Sequence, residues 1–100
     1  MFEARQRDGV VVIKGVGELG REELAGIARL AAHARQGGKT VIVDLRRVTH
    51  LHYAGAGLLK AVPGLRAVGA SPYVRDLVCA GGAGGYVEFH DDVEEAVRAA

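Results

Sequence analysis

Gly15-Val16-Gly17-Glu18-Leu19-Gly20 forms a G-x-G-x-x-G run between a β-branched segment and a helical pattern, and Asp44 closes the next β-branched run. In a dinucleotide site that order lets glycine amides and a helix N-terminus cradle a pyrophosphate while the acid takes the ribose hydroxyls. The chain is too short to supply the remaining strands, and Glu22 and Glu23 occupy the helix start where the anion would sit. The segment is therefore read as a glycine-rich turn between strand and helix, with a nucleotide-binding domain using the Gly15 to Gly20 loop kept as the alternative of another class.

His50 and His52 stand at a spacing that brings two rings to one side of an extended segment, as a metal could use. No Cys, Asp or Glu joins them at a convincing spacing, so no metal site is assigned and the pair is read as lining a solvent-facing loop. Tyr53 either offers a recognition surface beside His52 or packs under a helix start. Cys79 falls among Val74, Leu77 and Val78 and is read as a buried small hydrophobe with no activating base. Gly81-Gly82-Ala83-Gly84-Gly85 lacks the Gly-Lys-Ser/Thr ending of a phosphate cradle, and reads as a helix stop and loop. Asp91 or Asp92 reads as a helix N-cap. No catalytic constellation emerges, so the chain is expected to be no enzyme and to need no cofactor.

The elements that must position these residues follow from periodicity. Residues 2–7 form a weakly alternating strand, Asp8-Gly9 is a type I′ hairpin signal, and Val10-Val11-Val12-Ile13 is the returning strand. Leu24, Ile27, Ala28, Ala31 and Ala32 recur at helical spacing, which predicts a helix over 21–36 stopped by Gly37-Gly38. Thr40-Val41-Ile42-Val43-Asp44-Leu45 suits an interior strand. A short helix over 53–62 ends at Pro63-Gly64, a strand covers 65–70, and Ser71-Pro72 starts a helix over 72–80. A last strand over 86–89 precedes a closing helix through Val93, Ala96 and Val97. A longer helix over 53–70 with a strand at 75–79 is a second parsing, ranked lower because Pro63-Gly64 interrupts it.

With 100 residues and 49% apolar content, the chain supports one core and is read as a single domain, residues 1–100. A formal charge of +1, from 13 Lys/Arg against 12 Asp/Glu, leaves no electrostatic footprint for nucleic acid. The longest apolar runs fall far short of the roughly 20 residues that span a bilayer. A lone cysteine and a mixed-charge start without an apolar signal core point to the cytoplasm.

The order of elements, and two stretches in particular, resemble the STAS domain family of anti-sigma factor antagonists. Val41-Ile42-Val43-Asp44-Leu45 through His52-Tyr53-Ala54-Gly55-Ala56-Gly57-Leu58-Leu59 is similar to the family's apolar strand, Asp-Leu pair and Asp-Ser-Ser/Thr-Gly-Leu-Gly loop. Ser71 through Ala96 is similar to its closing helix, strand and helix. The resemblance implies an α/β, STAS-like mixed β-sheet of about five strands, with about four helices packed mainly on one face and the first hairpin at an edge.

The resemblance also implies a non-catalytic protein-protein interaction module. Its partner would be an anti-sigma factor or related ATP-binding kinase domain, or alternatively the ATPase subunit of a lipid-transport ABC transporter. The partner-binding residues would be His52, Tyr53, Ala54, Gly55, Ala56, Gly57 and Leu58, with Gly17, Glu18 and Gly20 beside them; Gly55 and Gly57 would permit close backbone approach. In the phosphorylated branch, the loop Ser or Thr before the glycine receives a phosphoryl group from the partner. Ala54 occupies that position here and has no hydroxyl, while His52 and Tyr53 stand where Asp and Ser are usual, and the helix after Gly55 is about eight residues shorter.

Overall fold

The structure, a computed structural model, describes residues 1–99. It runs β1 (Phe2–Arg7), β2 (Val10–Leu19), α1 (Arg21–Gln36), β3 (Thr40–Leu51), α2 (Tyr53–Ala56) continued as a 3-10 turn (Gly57–Ala61), β4 (Leu65–Val68), α3 (Pro72–Ala80), β5 (Val87–His90) and α4 (Val93–Arg98). The five strands form one sheet in the order β1-β2-β3-β4-β5; β1 is antiparallel to β2 and the remaining neighbours are parallel. This is the mixed α/β architecture expected from the sequence.

Local chemistry accounts for most boundaries. Asp8 and Gly9 both take positive φ, 52° and 78°, and Arg7 pairs with Val10, as a two-residue type I′ turn requires. The Ser71 hydroxyl accepts a hydrogen bond from Val74 N–H at 3.2 Å with Pro72 in the first turn of α3, which settles the middle of the chain against the second parsing. Asp92, and not Asp91, caps α4 by accepting from Glu95 N–H at 2.8 Å.

Alternation along the strands divides the apolar residues between two faces. Val11, Ile13, Val41, Val43 and Leu45 join Leu24, Ile27 and Ala31 of α1 and Val74 and Val78 of α3 in the main core. Ile42 and Val68 face the other way, under Ala96 of α4. Helices α1 to α3 thus cover one face and α4 part of the other, and β3 is buried on both sides over 41–45, in keeping with the interior strand its β-branched run suggests.

Two strands run further than the sequence indicates. β2 was expected to end near Ile13 and β3 at Leu45, yet the parallel ladder continues to Leu19 and Leu51, with register shifts between Lys14 and Val16 and between Gly17 and Glu18. Bulges let the glycines stay inside a strand, so Gly15-Val16-Gly17 is not a turn. β4 is shorter than expected, ending at Val68, and β5 begins at Val87 in place of Tyr86.

The face under α4 holds the one buried charged side chain among the described residues, Asp44. Burial pushes its pKa up, but the Arg46 guanidinium at 2.7 and 3.0 Å and the Arg46 N–H at 3.0 Å outweigh it, so the carboxyl lies below its usual value. A carboxyl depressed in the fold stabilises above its unfolded pKa of about 3.9 and loses that contribution as pH falls through the folded value. Arg46→Ala strands a buried carboxylate. Urea unfolding should show a loss of about 1–2 kcal/mol at neutral pH, allowing for the half-exposed guanidinium, and the gap from wild type should close once acid protonates Asp44 in both proteins.

Candidate functional site

The extended β2–β3 ladder brings two turns together. Glu18 pairs with His50, Leu19 with Leu51, and one step later His52 N–H donates to Leu19 C=O at 3.0 Å. Both strands then turn directly into helices, α1 after Gly20 and α2 after His52. Residues 17–20 and 52–58 are neighbours for this reason, and lie at the carboxyl ends of parallel strands, where open α/β sheets carry their binding surfaces.

Each turn is capped by a side chain that reaches back. Glu23 accepts from Gly20 N–H at 3.1 Å and also bridges the Met1 ammonium. That ammonium first, and the Gly20 amide second, hold the Glu23 carboxyl below its usual value. His52 Nδ1 accepts from Gly55 N–H at 3.3 Å, which places the ring in the N-cap role that Asp, Asn or Ser usually fill and requires Nδ1 to be unprotonated. The His52 ring stacks parallel to Tyr53, with centroids 5.8 Å apart.

Within the second turn the residues separate by exposure. His52, Tyr53, Ala54 and Leu58 face solvent, Tyr53 at 58% and Leu58 at 41%, whereas Gly55 and Ala56 are buried. Tyr53 therefore does not pack under the helix start. Beside it Glu18 and Gly20 are exposed and Gly17 is half-buried.

The close backbone approach expected of Gly55 and Gly57 is made within the chain. A Cβ at Gly55 would stand 3.1 Å from the Arg21 Cα, and one at Gly57 would stand 2.7 Å from the Gly81 carbonyl oxygen. A Cβ at Gly81 would in turn collide with the Tyr53 carbonyl. These glycines seat α2 between α1 and the end of α3.

The other candidates resolve as follows. Gly15 through Leu19 lies inside β2, and the Gly20 amide is taken by Glu23, so the G-x-G-x-x-G run does not form a phosphate-binding loop. His50 sits in β3 and not in a loop, half-buried, with Nδ1 2.7 Å from the Tyr73 hydroxyl and its ring stacked on Tyr73. Among the described residues no third His, Cys, Asp or Glu gathers with His50 and His52. Cys79 is an exposed free thiol; it sits on the outer side of α3 while Val74 and Val78 turn inward, which corrects the expectation of a buried residue. Tyr73, 53% exposed, was missed. Its place just after Ser71-Pro72, at the carboxyl end of a strand parallel to β3, was the available signal.

No family model matches the chain, and no curated protein matches it by sequence. Solved structures do. The anti-sigma factor antagonist SpoIIAA in its unphosphorylated form is 26% identical, with a TM-score of 0.71 over 99% of this chain and 95% of that one. The phosphorylated form of SpoIIAA from Bacillus gives 24% identity and 0.65 over the whole of both chains. An anti-sigma factor antagonist from Mycobacterium paratuberculosis gives 19% and 0.76 over 99% of this chain and 92% of that one. The chain has the fold of the anti-sigma factor antagonists, the STAS-like fold. Among the described residues no helix is long and apolar enough to cross a membrane.

The cap geometry is testable without a partner. His52→Ala removes the acceptor for Gly55 N–H and should cost about 0.5–1 kcal/mol in urea unfolding, whereas His52→Asp restores a cap and should equal or exceed wild type.

Proposed function

We propose that this chain is a protein-binding regulator of the anti-sigma factor antagonist type, docking an anti-sigma factor or related ATP-binding kinase domain without chemistry of its own. The observation that carries the reading is the exposed cluster of Glu18, Gly20, His52, Tyr53, Ala54 and Leu58 at two adjoining turns. It stands in a fold shared along nearly the whole chain with the antagonist SpoIIAA.

Physical features of the cluster suit docking. An exposed Tyr and Leu supply apolar area at low entropic cost, and the stacked His52 and the buried glycine contacts limit how far the turn can move on binding. Nothing in the cluster pairs a nucleophile with a base. Regulation of this kind belongs in the cytoplasm, where both partners would meet.

The same surface lacks the means by which a phosphoryl group would disrupt it at the usual loop position. Ala54 has no hydroxyl, so the charge of about −2 that would repel a docked partner cannot be placed there. Tyr53 carries the only hydroxyl of residues 52–58. On this reading the chain stays binding-competent in the presence of its partner and ATP.

Capture of a partner from native extract should succeed with wild type and fail with Ala54→Glu, which puts charge in the centre of the cluster while both proteins unfold at the same urea concentration. Equal capture by both variants contradicts this interface, and capture of a transporter ATPase contradicts the proposed partner. Incubated with the captured partner and Mg-ATP, the chain should keep its intact mass; a phosphoryl gain on Tyr53 contradicts the absence of a switch.

A further inference from the structure

Strand β1 is an edge of the sheet, and its free side is self-complementary. The Met1 ammonium and amide of Val16 close a pair of backbone contacts, Met1 N to Val16 O at 3.4 Å and Val16 N to Met1 O at 2.9 Å. Hydrogen-bonded pairs alternate along an antiparallel ladder, so Glu3, Arg5 and Arg7 direct their backbone groups at β2, opposite Lys14, Val12 and Val10. Phe2, Ala4 and Gln6 therefore direct theirs away from β2, along the open edge. Residues 3–7 are all exposed.

We infer that two copies of this chain pair through β1 in antiparallel fashion, on a twofold axis at Ala4, to form one continuous ten-stranded sheet. Edge pairing must set outward-facing residues opposite one another, which leaves few registers. Moving the axis one step back sets Glu3 opposite Glu3; moving it one step on sets Arg5 opposite Arg5. With Ala4 opposite Ala4, Phe2 faces Gln6 of the second copy and Glu3 faces its Arg5, twice, in the closely spaced positions where side chains meet. Of these three registers, only the one centred on Ala4 sets no charged side chains of like sign opposite each other. Charged edge strands usually discourage pairing, but a strand that carries Glu3 and Arg5 two positions apart meets opposite charges in its own reverse.

The rest of the fold leaves room. A twofold axis perpendicular to the sheet puts both α1 helices on the same side, and the two β2 strands about 14 Å apart at three strand spacings. Helices need about 8–10 Å between axes, so the copies do not clash. The space beneath them is an open cleft of about 310 Å³ in each copy, between β1 and Leu30, His33 and Ala34 of α1. The pairing edge and the two-turn cluster involve different residues, so the dimer would carry two docking surfaces.

An interface of one strand per copy is smaller than the about 1,600 Å² of stable complexes, so the dimer should be weak, with a dissociation constant between about 1 μM and 1 mM. Sedimentation velocity across that range should show wild type passing from monomer to dimer, less readily in high salt. Glu3→Arg sets Arg against Arg and should abolish the dimer; Glu3→Arg combined with Arg5→Glu recreates opposite charges and should restore it. Ala4→Pro removes only an outward N–H, which an edge tolerates, and should leave a folded monomer. A wild type that stays monomeric at 1 mM, a dimer that survives Ala4→Pro, or a double variant that fails to pair overturns the inference.

Discussion

The parallel ladder between β2 and β3 is the constraint from which the rest of the proposed binding surface follows. Its final steps, Leu19 beside Leu51 and His52 N–H on the Leu19 carbonyl, deliver two strand ends to the same place. Were the strands to stop at Ile13 and Leu45, α1 and α2 would leave the sheet from points several residues further back. The exposed residues of the two turns would then have no reason to adjoin. The bulges at Gly15–Gly17 keep the ladder intact while the chain bends, so glycines that suggest a ligand loop instead extend a strand.

Burial of β3 on both sides over 41–45 anchors the first half of that ladder in the core. Its residues 41–45 alternate between the main core and the small core under α4, and Asp44, the buried charge, is matched by Arg46 on the same strand. Removing one partner from such a pair costs more than the pair contributes, because the survivor is left without compensation in a dry environment. Above the sheet, Gly55, Gly57 and Gly81 let backbone meet backbone, so the short α2 is set by contacts with α1 and α3 and not by helix propensity over its four residues. The exposed turn at Tyr53 and Ala54 is consequently held from below by these backbone contacts.

Much of this was legible in the residues. The Asp8-Gly9 turn, the limits of α1, the Ser71-Pro72 start of α3 and the Asp92 cap each rest on local chemistry that acts over a few positions, and each occurs as the sequence indicates. What was not legible depends on partners distant in the chain. Arg46, Arg47 and Thr49 are polar and exposed, so nothing local marks 46–51 as strand; pairing with β2 makes it one. Cys79 shares an apolar neighbourhood in sequence, yet the turn of α3 directs it outward. His52 as a cap, Tyr73 joined to His50, and the meeting of Gly57 with Gly81 all arise only once β3, α2 and α3 are assembled.

The central claim, that the chain recognises a protein through its two adjoining turns, is tested most directly by amide hydrogen exchange of the chain with and without a partner captured from native extract. The account predicts added protection at residues 17–20 and 52–58, with exchange along α4 unchanged. Protection confined to α4 or to β5, with both turns exchanging as in the free chain, would contradict it.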